Sequence, residues 1–411
     1  MAHAGQLIAR GADPYGTAPA GTFVSANYPP LAYLFAAAGA GLGPFSGLRL
    51  ANILASLALA ALVAWRARAS PPVAIALGGS SLALMPVALW NGAGRVDPLA
   101  VTLTAYAVHC AGAGWPRAAA AGILGALAMY AKPTAALPLL AVLAYFAWRE
   151  RATAARTTAA FGAAAVSLAA ISLLRFDGAG LYRHLVVYND FPYDAANPAL
   201  LLLLGALTLG GFAAVGFVAG EGRMRAYLLG ALAVVALAGH EGATINYLLD
   251  ACAASCLALA PLARLRAPRA AAVFAGQLVA TLALITIGPL ARPELAVHAE
   301  RVGAATGLDR ARPQLAEDSG VLIAAGIEPE IDDLFVWARL VALGVIPDDV
   351  TPRVRAGTFG AGIADVPLDA LASAPAFVRQ RWPPALVAAV LERYDLDRSG
   401  PGSYRYVPRA R

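Results

Sequence analysis

A few polar residues stand at the ends of long apolar runs, where their types and spacing can do chemistry. Asp97 lies two residues after Arg95 and directly before Pro98, at the head of an apolar run. A helix N-terminus favours a carboxylate there, which can act as a cap, a general base, or a metal or phosphate-site ligand. Lys132, the sole lysine among 31 basic residues, sits between two apolar runs. It either snorkels toward water or meets a phosphate as a point charge. His240 and Glu241 occupy a short polar loop, followed by Asn246, Tyr247 and Asp250. Asn246 and Asp250 share a helix face, and a carboxylate inside a span is costly unless paired or functional. The segment 175–198 is rich in Tyr182, Arg183, His184, Tyr188, Asn189, Asp190, Tyr193 and Asp194. Aromatics over sugar faces and carboxylates on hydroxyls suit a carbohydrate; an interfacial aromatic belt is the alternative. His109, beside Cys110, reads as a buried packing histidine, and Cys252 and Cys256 as small packing residues. No glycine-rich phosphate loop, paired-histidine metal motif or Ser-His-Asp arrangement is visible by spacing.

These residues need a scaffold, and composition says which kind. The chain has 411 residues, 59% hydrophobic and 14% charged, where a soluble chain carries about 25% charged residues. From Arg49 to Leu290 charges cluster briefly between apolar runs, and from Ala291 onward they return to a soluble density. Two regimes of composition imply two solvents. The formal charge of +6 does not indicate nucleic acid, because the arginines sit between spans, where orientation signals belong. Arginine without lysine, together with abundant alanine, reads as a GC-rich bacterial genome. Residues 1–30 lack the basic start and apolar core of a cleavable signal.

A span needs about 20 apolar residues, fewer when its flanks snorkel. Ten candidates follow: 49–65, 72–90, 98–113, 118–131, 133–148, 157–174, 199–219, 226–239, 246–262 and 270–288. In lipid they should be helices, since the backbone must satisfy its own hydrogen bonds. One set of alternate loops holds Arg66, Arg68, Arg117, Arg149, Arg151, Arg156, Arg223, Arg225, Arg264, Arg266 and Arg269. The other holds only Arg95, Lys132, Arg175 and Arg183. The positive-inside rule places the first set in the cytoplasm and the candidate site residues outside. Residues 30–44 are too short to span and contain three glycines and Pro44, which predicts a helix lying on the outer surface. The expected fold is an α-helical polytopic membrane protein with about ten transmembrane helices and a small C-terminal extracytoplasmic α/β domain. Its parts are an outer segment, 1–48; the helical domain, 49–290; and the outer domain, 291–411. Within the last, Gly320–Ala325 and Thr358–Ala364 read as strands, Asp332–Leu343 and Pro384–Tyr394 as helices, and Tyr404–Val407 as an edge strand.

The landmarks together resemble the GT-C type membrane glycosyltransferases, in particular the bacterial mannosyltransferase and lipid A sugar transferase group. They run, in order, through Gly11-Ala12-Asp13-Pro14-Tyr15, Asn27-Tyr28-Pro29-Pro30-Leu31, Arg49, Arg95-Val96-Asp97-Pro98-Leu99, Ala131-Lys132-Pro133-Thr134 and Asn246-Tyr247-Leu248-Leu249-Asp250. Two outer-domain strings complete the set, Glu317-Asp318-Ser319-Gly320 and Tyr404-Arg405-Tyr406-Val407-Pro408. The resemblance implies an enzyme of the bacterial cytoplasmic membrane. It would move a sugar from a polyprenyl-phosphate donor to a lipid, glycan or protein acceptor outside that membrane. It implies a carboxylate as base, for which Asp97 is the remaining candidate by elimination and Asp13, the only carboxylate of the N-terminal segment but not at the family's position, the other; Arg95, Lys132, Tyr28, Glu241, Asn246, Tyr247 and Asp250 are the expected substrate-binding residues. Basic groups or a divalent metal, magnesium or manganese, would stabilise the leaving phosphate. The family's first outer loop follows a membrane helix and carries an acidic residue upstream of the Gly-Pro-Tyr landmark. The ten residues before Gly11 hold neither, so a truncated or inactive homologue is a second expectation, and a lipid or glycan transporter a third.

Overall fold

The computed structural model describes residues 1–18, 21–68, 71–90, 94–264, 300–400 and 402–409, with scattered positions between 272 and 283. Two short helices, α1 (Ala2–Ala9) and α2 (Pro30–Ala38), precede the bundle. The bundle itself is α3 (Ser46–Ala67), α4 (Pro71–Leu82), α5 (Met85–Trp90), α6 (Asp97–Cys110), α7 (Trp115–Ala131), α8 (Ala136–Arg149) and α9 (Arg151–Arg175), then α11 (Ala196–Ala219), α12 (Gly222–Ala236) and α13 (Leu249–Leu259). A short α10 (Gly178–Leu185) separates α9 from α11.

Among the described residues, five helical stretches are long and apolar enough to cross a membrane: Ser46–Ala67, Arg151–Arg175, Ala196–Ala219, Gly222–Gly239 and Ile245–Leu262. At about 1.5 Å per residue, the 22 residues of α3 reach ~33 Å, the thickness of a hydrocarbon core. Four of the ten expected spans come out shorter. The 14 residues of α6 reach only ~21 Å, and α7 and α8 run to 17 and 14 residues. The expected span 72–90 is broken into α4 and α5 beside Pro86, whose missing N–H cannot continue the ladder. The candidate 270–288 lies almost wholly outside the described residues.

Burial separates the centre of the bundle from its periphery. Every residue of α13 is buried, and its Ala, Ser and Cys side chains let α3, α6, α11 and α12 approach closely. Helix α9 buries only Thr153, Ala154, Thr157, Ala160 and Ser172, one narrow stripe against α7. Gly122 makes that stripe possible: a Cβ there would stand 2.5 Å from the Phe161 backbone nitrogen.

A small α/β unit caps one end of the bundle, called here the upper face. Its strands are β1 (Gln314–Ala316), β2 (Ala361–Ala364), β3 (Tyr394–Gly400) and β4 (Ser403–Pro408), in the order β1-β2-β4-β3. β1 and β2 are parallel, with Gln314 opposite Ala361, and the other pairs are antiparallel. Helices α14 (Ser319–Ala324), α15 (Leu334–Ala342), α16 (Val350–Arg355), α17 (Ala376–Arg379) and α18 (Pro384–Arg393) surround the sheet. Two expectations are corrected. The run at 320–325 is helical because the Asp318 carboxylate accepts from the Gly320 N–H and caps it; the strand lies just upstream. Strand β4 is interior, and β3 forms the edge.

This unit does not close its core alone. Phe23 of the outer segment and Tyr188 and Phe191 of the 175–198 loop join Trp337, Trp382 and Leu386 in one cluster. Residues 21–28 form an extended strap: the Phe23 N–H donates to the Glu330 carbonyl at 2.6 Å, and the Asp332 N–H to the Phe23 carbonyl at 3.1 Å. The Asp332 carboxylate also accepts from the Ser25 N–H at 2.6 Å.

Candidate active site

Four elements meet below the strap. Helix α5 ends on Trp90, and α6 begins on Asp97. Lys132 stops α7 in an extended conformation, φ −149° and ψ 119°, as the following Pro133 demands. A 3-10 turn, Ile245–Leu248, brings Asn246 and Tyr247 to the head of α13.

The cluster centres on the Asp97 carboxylate, which is 2% exposed. Its Oδ1 accepts from Lys132 Nζ at 2.6 Å and from Asn246 Nδ2 at 2.7 Å. Its Oδ2 accepts from Trp90 Nε1 at 2.9 Å. Asn246 is locked in that orientation, because its own Oδ1 accepts from the Thr244 backbone N–H at 3.2 Å and from the Thr244 hydroxyl at 2.9 Å. Lys132 is also buried, and its ammonium lies 4.3 Å from the centre of the Tyr247 ring, within cation–π range. The loop carrying Arg95 is pinned by Asn52, whose Nδ2 donates to the Arg95 carbonyl at 2.6 Å.

Tyr28 hangs over this cluster from the strap. Its carbonyl accepts from the Tyr15 hydroxyl at 2.6 Å, and its N–H donates to the Tyr33 hydroxyl at 3.2 Å. Both backbone groups are thereby fixed. The half-buried phenol feels the charges of Asp97, Lys132 and Arg95, and burial pushes its pKa up, so it stays protonated and able to donate. Arg95 is exposed. Asp250 lies one turn below Asn246, buried, 3.3 Å from the Tyr227 hydroxyl.

Seven of the nine residues singled out from sequence therefore share one neighbourhood: Tyr28, Arg95, Asp97, Lys132, Asn246, Tyr247 and Asp250. Two do not. Asp13 braces the turn beneath the strap, accepting from the Tyr15 N–H at 2.8 Å and the Asp177 N–H at 2.7 Å. Glu241 pairs with Arg339 at 2.6 Å and ties the loop before α13 to α15 of the upper unit. Trp90 was not foreseen from sequence. The only signal was an indole at the end of an apolar run seven residues before Asp97. His109 is only half-buried and is no mere packing residue, since its Nδ1 lies 3.3 Å from Arg66 Nη1.

A divalent metal does not fit this donor set. An ammonium, an amide NH2 and an indole N–H take three of the four lone-pair directions of Asp97, and the Lys132 ammonium already supplies the positive charge beside it. Among the described residues no three His, Cys, Asp or Glu side chains gather as ligands.

The far end of the bundle is tied shut. Buried Arg66 donates to the Leu257 carbonyl at 3.2 Å and pairs with Glu221 at 3.3 Å. Arg223 pairs with the other Glu221 oxygen at 3.1 Å and donates to the His109 and Ala111 carbonyls. These bonds join α3, α6, α13 and the α11–α12 turn.

Helices and upper unit together take up a fold already seen in solved proteins. The particular likeness is to ArnT from Cupriavidus metallidurans. Its apo structure superposes with a TM-score of 0.65 at 15% identity, over 98% of this chain and 92% of that one. Its structure bound to undecaprenyl phosphate gives a TM-score of 0.63 at 15% identity, over 100% and 93%. At that identity the likeness is one of fold. No protein-family model matches the chain, and no curated protein matches its sequence.

Proposed function

We propose that this chain is a membrane glycosyltransferase that moves a sugar from a polyprenyl-phosphate donor to a lipid, glycan or protein acceptor on the extracytoplasmic face of a bacterial cytoplasmic membrane. The observation that carries this reading is the end-to-end match in fold to a protein solved with undecaprenyl phosphate. Two features of the chain support it. Its one buried carboxylate–ammonium pair lies at the upper face, which the arginine pattern assigns to the outside. Its opposite end is bound shut around Arg66 and Glu221, which suits transfer at one surface rather than passage through the bilayer. About ten helices would cross the membrane, the short ones with their ends shielded by neighbours.

In this reading the acceptor hydroxyl attacks the anomeric carbon, and the bond to the lipid phosphate breaks. Each carboxylate oxygen has two lone pairs. Lys132 and Asn246 take both on Asp97 Oδ1, whereas Trp90 takes only one on Oδ2. Oδ2 is therefore the atom that receives the acceptor proton. The Trp90 indole covers it and swings aside to admit the acceptor. Lys132, the Tyr28 phenol and Arg95 supply donors and positive charge to the leaving phosphate. Asn246 and Tyr247 hold Lys132 and Asp97 in place, and Asp250 adds a second carboxylate below. A divalent metal has no role in these steps.

The test is transfer from a panel of radiolabelled polyprenyl-phosphate sugars in membranes containing the chain. Asp97→Asn is expected to lower transfer by a factor of about 10²–10⁴, the span of general acid–base catalysis, while the protein still inserts and folds. Wild-type rates in that variant would remove Asp97 from the mechanism. No transfer of any donor to any membrane acceptor by folded wild type would overturn the reading.

A further inference from the structure

A cavity of about 200 Å³ opens at the upper face, apart from the Asp97 cluster. Three stretches build it: the outer segment with Thr17, Ala18, Thr22 and Phe23; the 175–198 loop with Arg183, His184 and Tyr188; and the upper unit with Trp337 and Asp349. Junctions between chain units are where small-molecule sites preferentially form. The volume admits one sugar ring.

Its polar groups are positioned and incompletely used. His184 is 4% exposed, and its Nδ1 accepts from the Ala26 N–H at 3.2 Å. Burial lowers its pKa to about 4, so the ring is neutral at pH 7 and its proton sits on Nε2. That N–H has no partner among the described residues, in a ring that lines the cavity. A ligand oxygen in the cavity would supply the acceptor. Arg183 leans on the Tyr188 hydroxyl and has no carboxylate at ion-pair distance among the described residues. Asp349 spends Oδ2 on the Gly21 N–H at 2.7 Å, and its Oδ1 has no partner among the described residues. Around these groups stand aromatic rings, Phe23 and Tyr188 with centroids 5.7 Å apart, and the wall formed by Trp337. Separate donors and an acceptor, spaced around aromatic faces, match the alternating hydroxyls and C–H faces of a sugar. They match a fatty chain or a compact anion poorly.

The cavity is also connected to the Asp97 cluster. The strap leaves the cavity wall at Thr22 and arrives over Lys132 at Tyr28. That is at most ~20 Å of extended chain at about 3.3 Å per residue.

We propose that this cavity is a sugar-binding subsite, and that the acceptor is a glycan whose far end it holds while a sugar unit nearer the Asp97 cluster is modified. The first half stands on the cavity; the second rests on the transferase reading above. Saturation-transfer NMR on the full chain in nanodiscs tests it, with methyl glycosides of the common pentoses and hexoses and their disaccharides as probes. Saturation is expected for at least one disaccharide. Arg183→Gln should weaken binding about tenfold, and Ala18→Trp, which fills the space without touching a hydrogen bond, should abolish it. Asp97→Asn should leave it unchanged. Absence of saturation for every probe on folded wild type would overturn the subsite, as would binding that survives both cavity variants. The two readings separate cleanly. Donor consumption without saccharide binding removes only the subsite, and cavity binding without donor consumption removes only the transferase.

Discussion

Removing both partners of the Lys132–Asp97 pair should cost less than the sum of removing each alone. The two side chains are 9% and 2% exposed, with Nζ and Oδ1 2.6 Å apart. Deleting one partner of such a pair leaves an uncompensated buried charge, at about 3–5 kcal/mol. The surroundings set where in that range each variant falls. In Lys132→Met the carboxylate keeps its bonds from Asn246 and Trp90. Hydrogen bonds to a charged group are worth about 1.5–3 kcal/mol each, so the loss should sit near the lower end, at about 3 kcal/mol. In Asp97→Asn one carboxylate oxygen becomes an NH2 that must face a donor, either Trp90 or the Lys132 and Asn246 groups, and the ammonium loses its counter-charge and keeps the Tyr247 face; that loss should be about 3–4 kcal/mol. The double variant has no buried charge at this position, and its cost should fall at least about 2 kcal/mol below the sum of the singles. The assay is unfolding in mixed detergent micelles, followed by tryptophan fluorescence, for wild type, both singles and the double. Additivity within about 0.5 kcal/mol, as expected of independent sites, would refute the claim that the two charges neutralise each other in a dry environment.

Other outcomes follow from geometry elsewhere. The Asp365 carboxyl of the upper unit is raised to about 6, chiefly by burial and by Glu317 beside it, against the pull of Arg301 and Arg381. A carboxyl raised on folding binds more protons in the folded state, so stability should fall as pH rises from about 4 to about 6 and then level off. Asp365→Asn should flatten that slope in a pH series of unfolding midpoints. Transfer should persist after exhaustive chelation with EDTA, because the groups facing Asp97 are donors rather than metal ligands; loss of activity restored by magnesium or manganese would contradict this. Glu221→Gln should destabilise the far end by about 1–3 kcal/mol by stranding buried Arg66, and leave the KM for donor unchanged. A shifted KM would mean that the two ends are coupled.

What could be read from the sequence follows from how few polar residues an apolar chain contains. Lys132 and Asp97 are conspicuous because, Arg95 apart, no charged residue stands near either in the sequence, and the arginine asymmetry puts them on the same side. Their contact with each other and with Asn246 was not legible, since 149 residues separate Asp97 from Asn246 and only helix packing joins them. Glu241 and Asp13 looked equivalent to the others because sequence reports depth and side but not direction; one turned to Arg339 and the other to a backbone turn. Helix length was not legible for α6 or for the α4–α5 pair, where apolar runs extend past the helices or are cut by proline. In the upper unit the run at 320–325 fits strand and helix alike, and only the Asp318 cap decides between them. The likeness of fold could be anticipated from ordered landmarks, although no single string was distinctive.

The strap at 21–28 has one more implication. It is fixed at one end by its ladder to Glu330 and Asp332 and at the other by Tyr15 and Tyr33. A segment so anchored cannot stretch, and with the cavity holding one end of a glycan, as proposed above, it would act as a ruler. For a polymer gripped at one end, the position modified is counted from that end, so products should show a regular spacing or a single preferred length instead of a random spread. Inserting residues into the strap would recalibrate the count without altering the chemistry.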